Sequence, residues 1–417
     1  MKVREVQHPA HIVPLAFLIT ILIGTALLML PVSRADAVGA PWIAALFTAV
    51  SAVCVTGLVT VDTGTYWSSF GQWVIMALFQ IGGFGMMTLG IGDVSSVAKL
   101  VLFVTVIVEV MTALALTLRL HLGYDLPLAD AAWSGQFHSV SALNNAGFSI
   151  HADGLIRYAS DSYFLAPVML AIVIGGLGFP VLQDLRNKLR DPQHWSVHTK
   201  LTLVGTAVLL AGGAILLLAF EWANPRTLGS MPAGDKLLSA IFASVSARTA
   251  GFNSIDIGGL THESLGLHYF LMFIGGGSAG TAGGVKVGTA MILVMLVIAE
   301  IRGRMDTEAF GRRISHSAQR QAITVLVLSS AVVVLGTVFI LHTTEIATDR
   351  VIFEVISAFA TVGLSTGITA DLPDSAQLML ILLMYIGRVG TITLAASLAL
   401  GEHRMPFRYP EEHPVVG

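Results

Sequence analysis

Four turns in this sequence have the residues needed to present backbone oxygens to a cation. Each ends an amphipathic segment led by phenylalanine: Phe47 to Gly57 (FTAVSAVCVTG), Phe137 to Gly147 (FHSVSALNNAG), Phe242 to Gly251 (FASVSARTAG) and Phe353 to Gly363 (FEVISAFATVG). Glycine permits a positive φ and removes the Cβ that would narrow an axis, so the residues before it can turn their carbonyls inward. The carbonyl donors expected on this basis are Val55 and Thr56, Asn145 and Ala146, Thr249 and Ala250, and Thr361 and Val362, with Gly57, Gly147, Gly251 and Gly363 closing the ring. Such oxygens can replace the water around a dehydrated cation, and a half-helix ending at the ion adds partial negative charge. Close helix packing at small residues is the plainer reading, but it does not account for recurrence at four matched places. The third segment is one residue shorter than the others, which leaves its alignment open.

The elements that must hold these turns are apolar. Of 417 residues 54% are hydrophobic and 12% charged, against roughly 25% charged in a soluble domain, so the chain reads as an integral membrane protein. Apolar runs of spanning length lie near residues 12–30, 72–91, 97–118, 163–183, 199–220, 268–298, 321–342 and 376–400. Between successive pairs lie segments 41–54, 131–144, 236–248 and 350–361, too short to cross a hydrocarbon core of about 30 Å. Non-helical backbone at membrane depth is tolerated only where protein buries it or it lines water. The expected fold is therefore an all-α polytopic membrane protein. Four helix–pore-loop–helix repeats would surround one pore: 12–91, 97–185, 199–300 and 321–401, followed by a tail at 402–417.

Charge gives the orientation. Lys2, Arg4, Lys99, Arg186, Lys188, Arg190, Lys200, Arg302, Arg304, Arg312, Arg313, Arg320, Arg404 and Arg408 fall on one side, the cytoplasm by the positive-inside rule, with both termini there. Asp36, Asp62, Asp125, Asp130, Asp153, Asp161, Asp256, Glu263, Asp371 and Asp374 fall on the other, where they would concentrate cations or be ordinary solvated carboxylates. Arg388 lies inside the last apolar run, where a cation costs at least about 2.5 kcal/mol unless paired or wet. Arg248 is expected to donate to carbonyls or carboxylates behind the filter, and Glu109 could partner a buried arginine, with a proton relay as the lesser alternative. The single cysteine, Cys54, reads as a buried small hydrophobe.

The motifs VCVTGL (53–58), NNAGFS (144–149), ARTAGFN (247–253), TVGLSTG (361–367), GGSAGTAGGVK (276–286) and RYPEEHPVVG (408–417) resemble the Trk/Ktr/HKT superfamily of potassium transporters, over nearly the whole chain. The resemblance implies a channel-like pseudo-fourfold pore in which glycine at all four filter positions goes with potassium as the permeant ion, with sodium open as an activator and no organic cofactor. It implies a gate beneath the filter, formed by Gly275, Gly276, Gly277, Ser278, Ala279, Gly280, Thr281, Ala282, Gly283, Gly284 and Lys286, with Arg388 as a pore barrier or a clamp on the gate carbonyls. The glycine run is no phosphate loop, because Lys286 is followed by Val287 within an apolar segment. The resemblance further implies a homodimer in a bacterial cytoplasmic membrane, joined by a cytosolic RCK-type nucleotide-binding ring. Stretches 186–200 and 302–320 could meet that ring or lipid headgroups; no feature calls for nucleic acid. The family has a longer connection after the first repeat than residues 83–100 supply.

Two other readings stand beside a potassium pore. One is a sodium-permeable member of the same family. The other is a secondary solute transporter with broken helices, although such transporters have two larger inverted repeats. A membrane enzyme is not expected, since the sequence holds no H-E-x-x-H motif and no evident nucleophile.

Overall fold

A computed structural model describes residues 9–88 and 94–390. The first repeat comprises α1 (Pro9–Leu28), α2 (Trp42–Val53), the single turn α3 (Thr63–Tyr66) and α4 (Ser69–Thr88). In the second, α5 (Val94–Gly123) and α6 (Leu128–Leu143) precede α7 (Ser162–Leu177) and α8 (Phe179–Lys188). The third holds α9 (Val197–Glu221), α10 (Ala233–Ala247), α11 (His262–Phe273) and α12 (Val287–Ile301). The fourth holds α13 (His316–Thr343), α14 (Thr348–Phe359) and α15 (Asp374–Tyr385), which continues as a π-helical turn, Ile386–Gly390. A hairpin, Glu308–Ala309 with Arg312–Arg313, lies between the last two repeats.

The short helices α2, α6, α10 and α14 point their C-termini at the molecular centre. Pro41, Pro127 and Pro232 stand at the N-caps of the first three, where proline leaves no N–H unsatisfied. Phe47, Phe137, Phe242 and Phe353 are all fully buried, wedging each pore helix between its neighbours. The outer helices turn Leu15, Leu22, Val208 and Leu335 outward, the apolar exterior expected of a chain solvated by lipid.

Each repeat packs its pore helix between its own two outer helices, and the repeats then interlock in order. The helix after each turn also leans on the next repeat's pore helix: α4 on α6, α7 on α10, α11 on α14, and α15 back on α2. The four units thus close a ring. At its seam Tyr385 Oη donates to the Pro14 carbonyl at 2.9 Å.

Three of the eight apolar runs are not straight spans. The run 163–183 bends by 98° between α7 and α8 because Gly178 has φ +88° and Pro180 follows two residues later. The run 268–298 is interrupted between α11 and α12, and the run 376–400 passes from α15 into the π turn. Hydropathy registers composition and is blind to such breaks. Residues 89–93, within the short connection, and 391–417, with the tail, lie outside the described residues.

Candidate ion pathway

The ends of the four pore helices share one backbone solution. Two residues before each glycine the chain takes a left-handed conformation: Val55 (φ +57°), Asn145 (+55°), Thr249 (+68°) and Thr361 (+49°). The glycines follow at +91°, +70°, +77° and +96°, with an intervening residue of negative φ. A non-glycine residue held there costs roughly 1–2 kcal/mol, so the four strained positions need support. It comes from one serine carbonyl per repeat: Thr56 N donates to Ser51 O (2.7 Å), Ala146 N to Ser141 O (2.8 Å), Ala250 N to Ser246 O (2.9 Å) and Val362 N to Ser357 O (2.8 Å). The serine hydroxyls add a second tie. Ser51 and Ser357 accept from the glycine N–H at 3.1 Å, while Ser141 and Ser246 donate to the carbonyls of Phe148 and Phe252. These serines were missed by the sequence reading. Their signal was the Ser-Ala pair common to all four segments.

The glycines meet around a common axis. A Cβ on Gly57 would lie 2.4 Å from Ala146 O, on Gly147 2.9 Å from Ala250 O, on Gly251 2.3 Å from Val362 O, and on Gly363 2.1 Å from Thr56 O. Each glycine therefore abuts the carbonyl before the next, in the same cyclic order as the helices. The missing residue of the third segment is absorbed at Arg248, which caps α10 at φ −88°, ψ 57°, where Cys54, Asn144 and Ala360 close their helices with ψ near zero, at −5°, −5° and 1°. The hydroxyls of Thr56, Thr249 and Thr361 are buried without a protein partner. Carbonyl and hydroxyl oxygens with no competing cation in the ring suit a hard monovalent ion.

On one side of the ring lies a cavity of about 180 Å³ lined by the four glycines together with Asp62, Ser149, His151, Asn253 and Ser365. Of the carboxylates expected at this mouth, Asp36, Asp153 and Asp161 are neutralised by Arg34, Arg157 and Arg119 at 2.7–2.8 Å. Asp62 lines the cavity and also caps α3 through Thr65. Three of the ten acidic residues assigned to this face thus carry their own counter-charge. Burial and the Arg157 charge both hold His151 below the ordinary histidine pKa, so it is neutral at pH 7. Protonating it would place a cation on the cavity wall. Cation uptake is expected to hold steady from pH 8 down to about 6.5, the ordinary value, and to fall only below it; His151→Gln should abolish that acid limb, and an unchanged limb would exclude His151.

The glycine-rich segment lies across the other side. Gly277 N donates to Gly176 O (2.7 Å), Thr281 N to Gly175 O (3.2 Å) and Phe179 N to Ala279 O (3.2 Å). A Cβ on Gly283 would meet Thr361 Oγ1 at 2.0 Å, and one on Gly275 would meet Thr249 Cγ2 at 3.2 Å, so the loop touches the residues of the turns themselves. Three cations grip its carbonyls. Arg388, fully buried, donates to Thr281 O and, at 3.4 Å, to Gly82 O; Arg248 donates to Gly275 O at 2.9 Å and Lys286 to Ala282 O. Gly276, Gly280, Ala282 and Gly284 pack within this layer, and Ser278 O lies 2.2 Å from a Cβ on Gly178. Arg388 has the contacts of the carbonyl clamp. Glu109 does not pair with arginine as expected: it accepts from Gln80 Nε2 at 2.9 Å, and Gln80 in turn accepts from Asn144 Nδ2. Cys54 is fully buried.

Residues 90–404 match the TrkH family, described as cation transport protein. The chain is 38% identical to Ktr system potassium uptake protein B of Bacillus subtilis, over 98% of this chain and 97% of that protein. It is 37% identical to potassium/sodium uptake protein NtpJ of Enterococcus hirae, over 100% and 99%. The crystal structure of the potassium transporter TrkH from Vibrio parahaemolyticus superposes with a TM-score of 0.77 at 20% identity, covering 94% of this chain and 85% of that one, a likeness of fold.

Proposed function

The chain belongs to the TrkH family of cation transport proteins, and from that premise we propose that it carries potassium across a bacterial cytoplasmic membrane through the ring of glycine turns. A potassium ion sheds water in the cavity lined by Asp62 and Ser365 and passes between carbonyls of Val55, Thr56, Asn145, Ala146, Thr249, Ala250, Thr361 and Val362. Gly57, Gly147, Gly251 and Gly363 supply the mouth of that path. The C-termini of four pore helices add partial negative charge to it. The single observation that carries this reading is the cyclic contact of each glycine with the carbonyl before the next.

Residues 275–286 act as the gate in this reading, held shut by Arg388, Arg248 and Lys286. The protein works as a homodimer with a cytosolic RCK-type ring, its termini in the cytoplasm, and no step calls for an organic cofactor. Sodium permeation is the second reading, favoured by the similarity to a potassium/sodium uptake protein.

Rubidium uptake into proteoliposomes containing this protein alone, with potassium and sodium as competitors, tests both. Uptake blocked by potassium at far lower concentration than by sodium is the expected result. Equal block would favour the second reading, and absence of cation flux with the cytosolic ring added would defeat both.

A further inference from the structure

The residue after the buried phenylalanine differs in every pore helix: Thr48, His138, Ala243 and Glu354. In two repeats it reaches the outer end of the filter. The His138 ring bonds Ser134 O through Nδ1 at 2.8 Å, which places the proton on Nδ1 and leaves Nε2 to accept from Ser149 Oγ at 2.9 Å. Glu354, 1% exposed, accepts from Ser365 Oγ at 2.9 Å and from Thr369 Oγ1. Ser149 and Ser365 each stand two residues beyond a filter glycine, and both line the outer cavity.

The other two repeats lack this brace. Thr48 Oγ1 is buried without a partner, Ala243 has no polar side-chain atom, and the residues two beyond their glycines are Val59 and Asn253. Because the ring runs in sequence order, the second and fourth repeats face each other across the axis. The braces therefore lie on one diagonal.

Resting on the filter reading above, the geometry points to His138 and Glu354 as positioning residues for ion discrimination, which hold one diagonal of the outer filter at fixed width. A smaller cation needs the carbonyls drawn inward. Strands pinned through Ser149 and Ser365 to a pore-helix side chain resist that contraction, while Val59 and Asn253 have no such side-chain tie to their pore helices; Asn253 is held instead through its carbonyl, which accepts from Leu155 N at 2.9 Å. Discrimination against sodium thus depends on side chains that never touch the ion.

The test is rubidium uptake by the full chain in proteoliposomes, read as the ratio of half-blocking sodium to half-blocking potassium. Ser365→Ala should lower that ratio about tenfold, the upper end of what one hydrogen bond supplies; Glu354→Gln, whose amide keeps a single acceptor oxygen for Ser365 and Thr369, should lower it in the same direction by less. The double variant should fall no further than Ser365→Ala, since both changes act on the same contact. Ser365→Thr should retain the parent ratio, as should Thr48→Val. Should Glu354→Gln fail to fold, Ser365→Ala decides, because it leaves the carboxylate bonded to Thr369. A parental ratio in Ser365→Ala, or a lowered melting midpoint with the ratio unmoved, would overturn the inference alone. Absence of potassium-blocked uptake in the parent would overturn the filter reading and this inference with it.

Discussion

Gly363→Ala is expected to reduce rubidium uptake at least about 100-fold, the equivalent of about 3 kcal/mol in the rate-limiting barrier. The added Cβ would lie 2.1 Å from the Thr56 carbonyl oxygen and 3.1 Å from Gly57 Cα. Both are backbone atoms of the neighbouring turn, so no side chain can swing away to relieve the contact. The residue is also held at φ +96°, where any L side chain is strained. Relief requires the first and fourth turns to part, which displaces the oxygens that would hold the ion. The four glycines supply an internal ranking. Alanine should be mildest at Gly147, whose Cβ has 2.9 Å to the nearest carbonyl, and more severe at Gly57 (2.4 Å), Gly251 (2.3 Å) and Gly363 (2.1 Å). Uptake normalised to protein recovered from the liposomes checks the order, and equal tolerance at all four positions would remove the basis for a filter.

The second large effect should come from freeing the loop. Arg388→Gln withdraws the guanidinium from the carbonyls of Thr281 and Gly82. A charged hydrogen bond of this kind is worth about 1.5–3 kcal/mol, so an opening equilibrium that breaks it should shift by roughly tenfold to 100-fold. Resting uptake in the absence of any partner is expected to rise accordingly, and to rise again when residues 276–284 are shortened. Arg248→Gln and Lys286→Gln, which release Gly275 and Ala282 respectively, should act in the same direction. A variant that is folded, as judged by its melting midpoint, yet transports at the parental rate would rule out the loop as the barrier.

The four glycine turns were legible in the sequence because their pattern is local. A phenylalanine, a small residue run and a glycine recur at fixed spacing, and fourfold recurrence separates them from ordinary glycine packing. What supports the turns was harder to see. Ser51, Ser141, Ser246 and Ser357 are small polar residues in apolar helices, with no composition to mark them. His138 and Glu354 gain their meaning only when the turn folds back to bring Ser149 and Ser365 within reach. Part of the acidic face was hidden for a related reason: counting carboxylates by side leaves out that Arg157 and Arg119 meet Asp153 and Asp161. Glu109 was assigned an arginine because an intramembrane charge calls for a partner; an amide answered instead. The bend at Gly178 lies inside an unbroken apolar run, where hydropathy does not register it; Gly178 and Pro180 were its signal.

The closed order of the helices also bears on how such a molecule is made. Membrane helices are delivered one after another, yet α2 is completed only when α15, made more than 300 residues later, arrives beside it. Until then the first pore helix, buried along nearly its whole length in the finished protein, has one flank facing lipid or a substitute neighbour. The Tyr385–Pro14 bond is the clasp that closes this circle. A nascent chain halted anywhere before it would be an open horseshoe, with its half-formed throat exposed to the bilayer. Assembly in this protein is thus a matter of joining the last-made part to the first, and the ring of turns is complete only when they meet.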